Sequence, residues 1–247
     1  MLEVARVSRS FAGIHALQDV DFKVEPGSIT ALIGPNGAGK TTLINLITGV
    51  MPPSSGELRF DGRSLAGLKP HRVEALGIRR TFQTVHLFPG LTVRENLVIG
   101  GFRPALRASP WSMFALPARD RGPQRRRADA LLELLGLEGL GDEIATDLPY
   151  GTQRRVEIAR AMMGEPRFVL LDEPAAGMNE TETHELTDDI RAIRGQGITV
   201  FLVEHDMSLV MSVSDKIVVL NFGKLIAQGT PEAIQRDPEV IASYLGA

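Results

Sequence analysis

The 247-residue chain contains no cysteine, no long hydrophobic run and no excess of basic residues. The absence of cysteine excludes disulfide bonds, zinc–cysteine sites, iron–sulfur clusters and thiol nucleophiles. The chain has 27 lysine and arginine residues against 30 aspartate and glutamate residues, a formal net charge of −3. Proteins that coat nucleic acid usually carry a basic excess. The composition therefore argues against nucleic acid as a partner.

No segment of the sequence is long and apolar enough to predict a membrane-spanning helix. The longest uncharged stretch near the middle, residues 108–118, contains two prolines. It is also shorter than the roughly 18 residues that a spanning helix needs. The first residues lack the basic region and apolar core of a signal peptide. We therefore expect a cytoplasmic chain that works at a membrane only through a partner.

Short β-rich runs alternate with helical segments, a pattern typical of a mostly parallel sheet covered by helices. Residues 2–7 and 21–24 alternate apolar and polar side chains, which predicts half-exposed edge strands. Near-continuous apolar runs predict strands buried on both faces, at residues 30–33, 168–171, 199–203 and 217–220. A last strand is predicted at residues 225–228, and helices at 41–47, 126–135, 153–163, 180–194 and 232–235.

Residues 85–166 break this alternation because they contain no run typical of a buried strand. A loop rich in proline, arginine and serine, at residues 102–124, is followed by a helical pattern. We interpret the stretch as a mostly helical lobe inserted into an α/β core. The apolar patch at residues 85–88, with Leu91 and Val93, fits either a groove for a partner or ordinary core packing.

The sequence GPNGAGKT at residues 34–41 has the spacing of a phosphate-binding loop. A buried strand is predicted before it and a helix after it. Glycines allow successive backbone N–H groups to face phosphate oxygens, and the helix N-terminus adds roughly half an elementary charge. Lys40 is expected to reach the β- and γ-phosphates, and the Thr41 hydroxyl to bind Mg²⁺. The candidate nucleotide-binding residues are Gly34, Asn36, Gly37, Ala38, Gly39, Lys40, Thr41 and Thr42.

Polar residues also follow the predicted strands at 168–171 and 199–203 and the run at residues 80–82. Asp172 and Glu173 are candidates for a Mg²⁺ ligand and for the general base that activates water. His205 could orient the γ-phosphate and the attacking water, and Gln83 could reach Mg²⁺ or that water. Plainer interpretations are a solvated acidic pair, a surface histidine and a polar loop residue. Because the carboxyl ends of parallel strands meet at one edge of a sheet, we expect these residues to lie together beside the phosphate loop.

A Pro/Gly turn at residues 148–153, with the sequence LPYGTQ, opens an amphipathic helical pattern. Val156, Ala159 and Met163 fall on one stripe of that helix. Its N-terminus is suited to bind an anion. A packing helix with an ordinary cap is an equally open interpretation of these residues.

Taken together, these motifs resemble the ATP-binding subunits of ABC transporters along the whole chain. The phosphate loop is similar to the Walker A motif, residues 168–173 are similar to Walker B, and residues 176–179 are similar to the D-loop. The resemblance implies catalysis by Glu173, His205 and Lys40, magnesium binding by Thr41, Gln83 and Asp172, adenine stacking on Phe11, and a signature motif at Tyr150, Gly151, Thr152 and Gln153. In this family the signature motif closes over ATP bound to a second subunit.

The resemblance also implies the fold and the domain organisation. The expected fold is α/β, a RecA-like P-loop NTPase with a mostly parallel sheet, an antiparallel β subdomain and an inserted helical lobe. One ABC ATPase domain is expected over residues 1–247, with its nucleotide-binding core at 1–84 and 167–247 and its helical signature lobe at 85–166. Pro149 and Thr152 depart from the usual serine and glutamine of the signature. The contact to phosphate would then rest on Gly151, Thr152 and the helix dipole.

Finer features resemble the ATP-binding subunits of branched-chain amino acid importers: residues 80–83, 87–96, 102–124, 150–151, 173–177 and 237–246. This resemblance implies an Mg²⁺-dependent ATPase on the cytoplasmic face of the inner membrane, with ATP and Mg²⁺ as cofactors. Its expected partners are a second ABC ATPase subunit, identical or sibling, an integral membrane permease and, indirectly, a substrate-binding protein.

Three alternatives remain open on the residues. Lipopolysaccharide-export ATPases are the close competitor, although they usually keep serine and glycine in the signature. A soluble ABC ATPase acting on nucleic acid or ribosomes would need tandem ATPase domains, a long coiled coil or a basic surface. A P-loop GTPase would need an Asn-Lys-x-Asp motif, which the sequence lacks, and a small-molecule kinase would leave residues 148–153 unexplained.

Overall fold

The computed structural model of the chain describes residues 1–81, 83–101 and 122–245, and their strands form two sheets. In chain order the strands are β1 (Leu2–Phe11), β2 (Ile14–Val24), β3 (Ile29–Ile33), β4 (Ser55–Phe60), β5 (Arg63–Ser64), β6 (Ile78–Arg80), β7 (Phe168–Asp172), β8 (Thr199–Val203), β9 (Lys216–Asn221) and β10 (Lys224–Gly229). The helices are α1 (Lys40–Ile47), α2 (Pro70–Ala75), α3 (Val93–Gly100), α4 (Gly122–Leu134), α5 (Tyr150–Met162), α6 (Glu180–Gly195), α7 (Met207–Val213), α8 (Pro231–Gln235) and α9 (Pro238–Leu245).

The smaller sheet is antiparallel, with the strand order β2-β1-β4-β5. The prediction of an edge strand at residues 2–7 is wrong, because β1 pairs with β2 on one side and with β4 on the other. Alternation of apolar and polar residues indicates that one face of a sheet is solvated. It does not indicate whether the strand lies at an edge. The second predicted edge strand lies within β2, which is at an edge of this sheet.

The larger sheet has the order β10-β9-β3-β8-β7-β6, and all of its pairs are parallel except the β9–β10 hairpin. The prediction of buried strands is confirmed, since every residue of β3, β7 and β8 is buried. One apolar cluster covers each face of this sheet. Apolar residues of α5 belong to the first of these clusters, and those of α1 belong to the second. The carboxyl edge of the parallel strands is therefore where polar groups can gather.

Between residues 85 and 166 the described residues form α3, α4, α5 and two short 3₁₀ helices. Of the predicted loop at residues 102–124, residues 102–121 lie outside the described residues, and residues 122–124 belong to α4. Within the same stretch Val93 is buried and Leu87 is partly buried against the core, whereas Phe88 is exposed. No helix of the described ranges has the length and hydropathy of a membrane-spanning segment.

Candidate nucleotide-binding site

The phosphate loop joins β3 to α1 through backbone conformations that only glycine adopts readily. Gly34 and Gly39 have φ angles of +153° and +102°. A Cβ atom on Gly34 would lie 2.2 Å from the Leu220 carbonyl oxygen, and one on Gly39 would lie 2.6 Å from that of Ala16. The loop therefore needs glycine both for its φ angles and for the close approach of neighbouring strands.

The start of α1 fits a phosphate group. Gly39 is its N-cap, and no side chain caps the first turn by a hydrogen bond. The backbone N–H groups at a helix N-terminus then remain available to an anion. The Lys40 ammonium group lies inside the loop, where it donates to the carbonyls of Gly34 at 2.5 Å and Pro35 at 3.1 Å. Burial lowers the pKa of Lys40, and Glu173 and Asp172 oppose that shift.

The structure brings the predicted water-activating residue together with the predicted glutamine. Gln83 Nε2 donates a hydrogen bond to Glu173 Oε2 at 2.6 Å. Glu173 has a φ angle of +46°, a left-handed conformation that costs a non-glycine residue roughly 1–2 kcal/mol. Its N–H donates to the Val203 carbonyl at 2.8 Å, which ties the strained residue to the end of β8. Strained backbone of this kind is concentrated at functional sites.

Asp172, the last residue of β7, is buried and faces a cation. Its Oδ2 accepts a hydrogen bond from Arg80 at 2.8 Å, and the same guanidinium donates to Asn45 Oδ1 at 3.0 Å. The sequence analysis names residues 80–83 but predicts no role for Arg80 at the site, because an arginine at the end of a short strand has no distinctive signal. No cluster of three or more His, Cys, Asp or Glu side chains with metal-ligand geometry occurs in the described part of the chain. A Mg²⁺ site built on nucleotide phosphates needs only one or two carboxylates, so the oxygens of Asp172, Thr41 and Gln83 fit this ion.

His205 follows β8 at the same edge of the sheet, and its side chain is 64% exposed. Its Nδ1 lies 3.5 Å from the carboxylate of Glu204. Glu204 is fully buried and accepts hydrogen bonds from the N–H groups of Ala175, His205 and Asp206 at 2.8, 2.8 and 3.1 Å. Sequence reasoning missed Glu204, although a carboxylate directly after an apolar strand is a usable signal. Its hydrogen bonds fasten the His205 loop to the loop that follows Glu173.

The predicted signature residues form the first turn of α5, which begins at residue 150 and not at 153 as predicted. Pro149 is the N-cap and no side chain caps this turn. Gly151 is buried, and a Cβ atom there would lie 2.5 Å from Glu182 Cδ. Tyr150 is 43% exposed. The Gln153 amide is turned back onto its own chain, where it donates to the Leu148 carbonyl at 2.8 Å and to that of Thr146 at 3.1 Å.

Phe11 ends β1 and is 41% exposed. The Arg9 guanidinium carbon lies 4.7 Å from the centre of its ring. After a two-residue turn, β2 begins at Ile14, which pairs with Phe11. Two residues later in β2, the Ala16 carbonyl lies close to Gly39 of the phosphate loop. The hairpin that carries Phe11 is therefore attached to the loop that carries Lys40.

A family model described as "ABC transporter" matches residues 17–176, and a second, "Branched-chain amino acid ATP-binding cassette transporter", matches residues 224–247. The chain is 44% identical to the high-affinity branched-chain amino acid transport ATP-binding protein BraF of Pseudomonas aeruginosa. The match covers 100% of this chain and 98% of the relative. The chain is also 41% identical to LivG of Escherichia coli K12, which is described in the same terms. This match too covers 100% of this chain and 98% of the relative.

Solved structures of ATP-binding cassettes are similar to the chain. One is the crystal structure of a nucleotide-free ATP-binding cassette from an ABC transporter, with a TM-score of 0.86 and 33% identity over 100% of this chain and 99% of the other. The other is the dimeric structure of a post-hydrolysis state of an ATP-binding cassette bound to ADP and Pi. Its TM-score is 0.75, with 25% identity over 94% of this chain and 99% of that chain.

Proposed function

The chain belongs to the ABC transporter family of ATPases, and from that premise we propose that it powers the uptake of branched-chain or related amino acids through a separate permease. The names of BraF and LivG support this substrate class. The observation that carries the proposed hydrolytic role is the 2.6 Å hydrogen bond between Gln83 and Glu173, beside the loop that holds Lys40.

Hydrolysis of ATP is the chemistry that this edge of the sheet supports. The phosphate loop and Lys40 bind the β- and γ-phosphates, and Glu173 accepts a proton from the attacking water. The Gln83 amide orients that carboxylate, and His205, exposed at the rim, reaches the γ-phosphate. Mg²⁺ held by Thr41, Gln83 and Asp172 would supply positive charge to the phosphate oxygens. The backbone N–H groups of α1 stabilise charge that develops on the γ-phosphate.

A second subunit completes the site in this proposal. Tyr150, Gly151, Thr152 and Gln153 of one subunit close over the γ-phosphate bound to its partner, which is a copy of the chain or a sibling subunit. The similar cassette that forms a dimer with ADP and Pi supports this arrangement. ATP then holds the two subunits together, and hydrolysis releases them.

We place the permease in a groove of about 400 Å³ between the core and the helical lobe. This docking groove is lined by Thr48, Val50, Pro70, His71, Val73, Glu74, Ile78, Arg79, Arg80, Thr81, Gly100, Glu157, Arg160 and Ala161. Its position supports the assignment, because Thr81 and Arg80 lead directly to Gln83. Phe88, exposed nearby, contacts Arg160 with 5.6 Å between the guanidinium carbon and the ring centre. The permease would thereby hold the chain at the cytoplasmic face of the membrane.

The domain organisation follows the same proposal. Residues 1–247 act as one ABC ATPase domain, whose core at 1–84 and 167–247 binds nucleotide. The lobe at 85–166 presents the signature turn to the partner subunit. Movement of this lobe relative to the core is the change that the permease receives.

Purification from native membranes tests the proposal. The tagged chain is isolated from detergent-solubilised membranes, and the integral proteins that accompany it are identified by mass spectrometry. We expect an amino-acid permease, together with ATP hydrolysis that a branched-chain amino acid and its binding protein stimulate in proteoliposomes. A lipopolysaccharide-export partner would contradict the importer and favour its competitor. Retention on heparin at physiological salt with hydrolysis stimulated by nucleic acid would favour the soluble alternative.

A further inference from the structure

A fully buried arginine, Arg154, lies behind the two loops that carry Gln83 and Glu173. Its guanidinium group donates hydrogen bonds to the backbone carbonyls of Gln83 at 2.8 Å, Glu173 at 2.9 Å and Pro174 at 3.3 Å. These carbonyls belong to segments that leave two neighbouring strands, β6 and β7. The planar fork of donors on arginine suits such a set of acceptors. One side chain thus holds the backbone of both loops.

Glu157, which follows Arg154 by three residues on α5, holds this arginine in place. Arg154 Nη1 donates to Glu157 Oε2 at 2.9 Å, and the two side chains are 0% and 3% exposed. A buried ion pair contributes little net stability, because the loss of hydration offsets the attraction between the charges. The orientation of Arg154 toward the two loops therefore points to a role in positioning their backbone.

We propose that Arg154, oriented by Glu157, is a positioning residue for ATP hydrolysis. It fixes the backbone on both sides of the hydrogen bond between the Gln83 amide and the Glu173 carboxylate. Glu173 is the residue with a φ angle of +46°, so its conformation depends on its surroundings. Its N–H is bonded to Val203 and its C=O to Arg154. Loosening the second bond lets the carboxylate leave the position at which it accepts a proton from water.

The same pair connects the hydrolytic edge with the docking groove, an extension that rests on the proposed function. Glu157 lines that groove, its Oε1 accepts the N–H of His86 at 3.4 Å, and it lies 3.8 Å from Arg160 Nη2. In this extension, a permease segment that enters the groove shifts the carboxylate that orients Arg154. The position of Glu173 would then respond to the permease.

The adjacent residue offers a matched control. Arg155 is also buried in α5, but it donates to Asp189 at 2.6 Å, to Glu185 at 2.6 Å and to the carbonyl of Leu135 at 2.5 Å. These groups lie on α6 and at the end of α4, away from Gln83 and Glu173. Arg155→Lys therefore removes a guanidinium group from the same helix without touching the two loops.

The experiment measures ATP hydrolysis by the isolated full-length chain. We expect Arg154→Lys to lower kcat by about 10- to 100-fold, the effect of a misplaced catalytic group, with the KM for ATP within about twofold because the phosphate loop is unchanged. Arg155→Lys is expected to lower the melting temperature while its kcat remains at the wild-type value. Equal kcat values for the wild type and both variants would overturn the proposal.

Glu157→Gln keeps the test decisive if Arg154→Lys fails to fold, because the glutamine oxygen still accepts a hydrogen bond from Arg154. We expect an intermediate kcat at unchanged KM, and a wild-type kcat would overturn the positioning role. In proteoliposomes with the permease that co-purifies with the wild type, stimulation of hydrolysis is expected to be lost in Glu157→Gln and kept in Arg155→Lys. Equal stimulation of all three chains would overturn the connection to the groove. A wild type that the permease does not stimulate would instead count against the proposed function.

Discussion

The two helices that carry the phosphate loop and the signature turn both begin without a side-chain cap. Neither Gly39 at the start of α1 nor Pro149 at the start of α5 offers a capping hydrogen bond. Helices α3 and α6, by contrast, have complete capping boxes, with Thr92 and Asn179 as their N-caps. Uncapped first turns leave backbone N–H groups for a ligand. Helix α2 is also uncapped, but it begins with Pro70, which has no backbone N–H to offer. The missing caps of α1 and α5 therefore support binding at these two helix starts.

The starts of α1 and α5 differ in the residues that surround them. The α1 turn has the Lys40 ammonium group inside its loop, with Asp172 and Glu173 close enough to affect the pKa of that lysine. The α5 turn has no acidic residue in its first turn and presents Tyr150 and the buried Gly151. In the proposed function the first start holds the residues of hydrolysis, and the second offers an anion-binding turn. This contrast is what a site shared between two subunits requires.

Replacing the proposed base gives the largest expected effect and would test the α1 half of the comparison. We expect Glu173→Gln to lower the rate of phosphate release by at least about 10², the typical contribution of a positioned base. ATP binding measured by calorimetry should remain, because the phosphate loop is intact. Glu165→Gln is the control, since Glu165 also has a positive φ angle but pairs with Arg127 at the surface. Near-normal hydrolysis by Glu173→Gln would refute the assignment.

The conformation of the phosphate loop at the start of α1 is tested by the free energy of unfolding of two glycine variants. We expect Gly39→Ala to lower the free energy of unfolding by about 2–4 kcal/mol, because the left-handed φ and the contact with the Ala16 carbonyl both oppose a Cβ atom. Gly37 has a φ angle of +81°, and a Cβ atom there would meet nothing within 4 Å. We expect Gly37→Ala to lower the free energy of unfolding by about 1–2 kcal/mol. Urea denaturation of the nucleotide-free chains gives both values, and equal losses would contradict the close approach at Gly39.

The α5 half is tested by Gly151→Ala. The added methyl group would press on Glu182 and displace the signature turn, so hydrolysis should fall by about tenfold or more. Binding of ATP to the single subunit should not change, since the phosphate loop lies elsewhere in the chain. Gly195→Ala is the control, because a Cβ atom there meets nothing within 4 Å. Wild-type hydrolysis by Gly151→Ala would remove the signature turn from the site.

The smallest effect concerns the buried lysine. Since burial lowers the pKa of Lys40, the folded chain binds this proton less tightly than the unfolded chain, and the charged form is destabilising. We expect Lys40→Met to raise the melting temperature of the nucleotide-free chain slightly at pH 7, and this advantage to shrink as the pH rises toward 10. The same variant should lose the increase in melting temperature that ATP gives. A lower melting temperature than that of the exposed control Lys224→Met would contradict this account.

The sequence allowed the proposed catalytic edge of the sheet to be predicted because continuous apolar runs mark buried parallel strands. The ends of those strands place Glu173, His205 and the phosphate loop at one edge without any knowledge of the packing. Gln83 follows β6, whose sequence IRR contains no apolar run. The antiparallel sheet was only partly predictable. Strand β4, with the sequence SGELRF, is short and half polar, so nothing in it distinguishes a strand from a loop.

The buried ion pairs could not be predicted for a different reason. Arginine inside a helix is normally solvated, and the spacing of Arg154 and Glu157 is also that of an exposed i, i+3 pair. Only the position of α5 against β7 shows that this pair lies beneath the catalytic loops. The role of Arg154 is therefore a property of tertiary packing.

The central claim is that the starts of α1 and α5 meet across one nucleotide held by two subunits. Sedimentation velocity of Glu173→Gln with saturating ATP and Mg²⁺ tests it most directly. The account predicts a dimer with ATP, a monomer with ADP, and a monomer with ATP when Gly151→Ala is added to the same chain. A monomer under all conditions, or a dimer that persists without nucleotide and with Gly151→Ala, would contradict it.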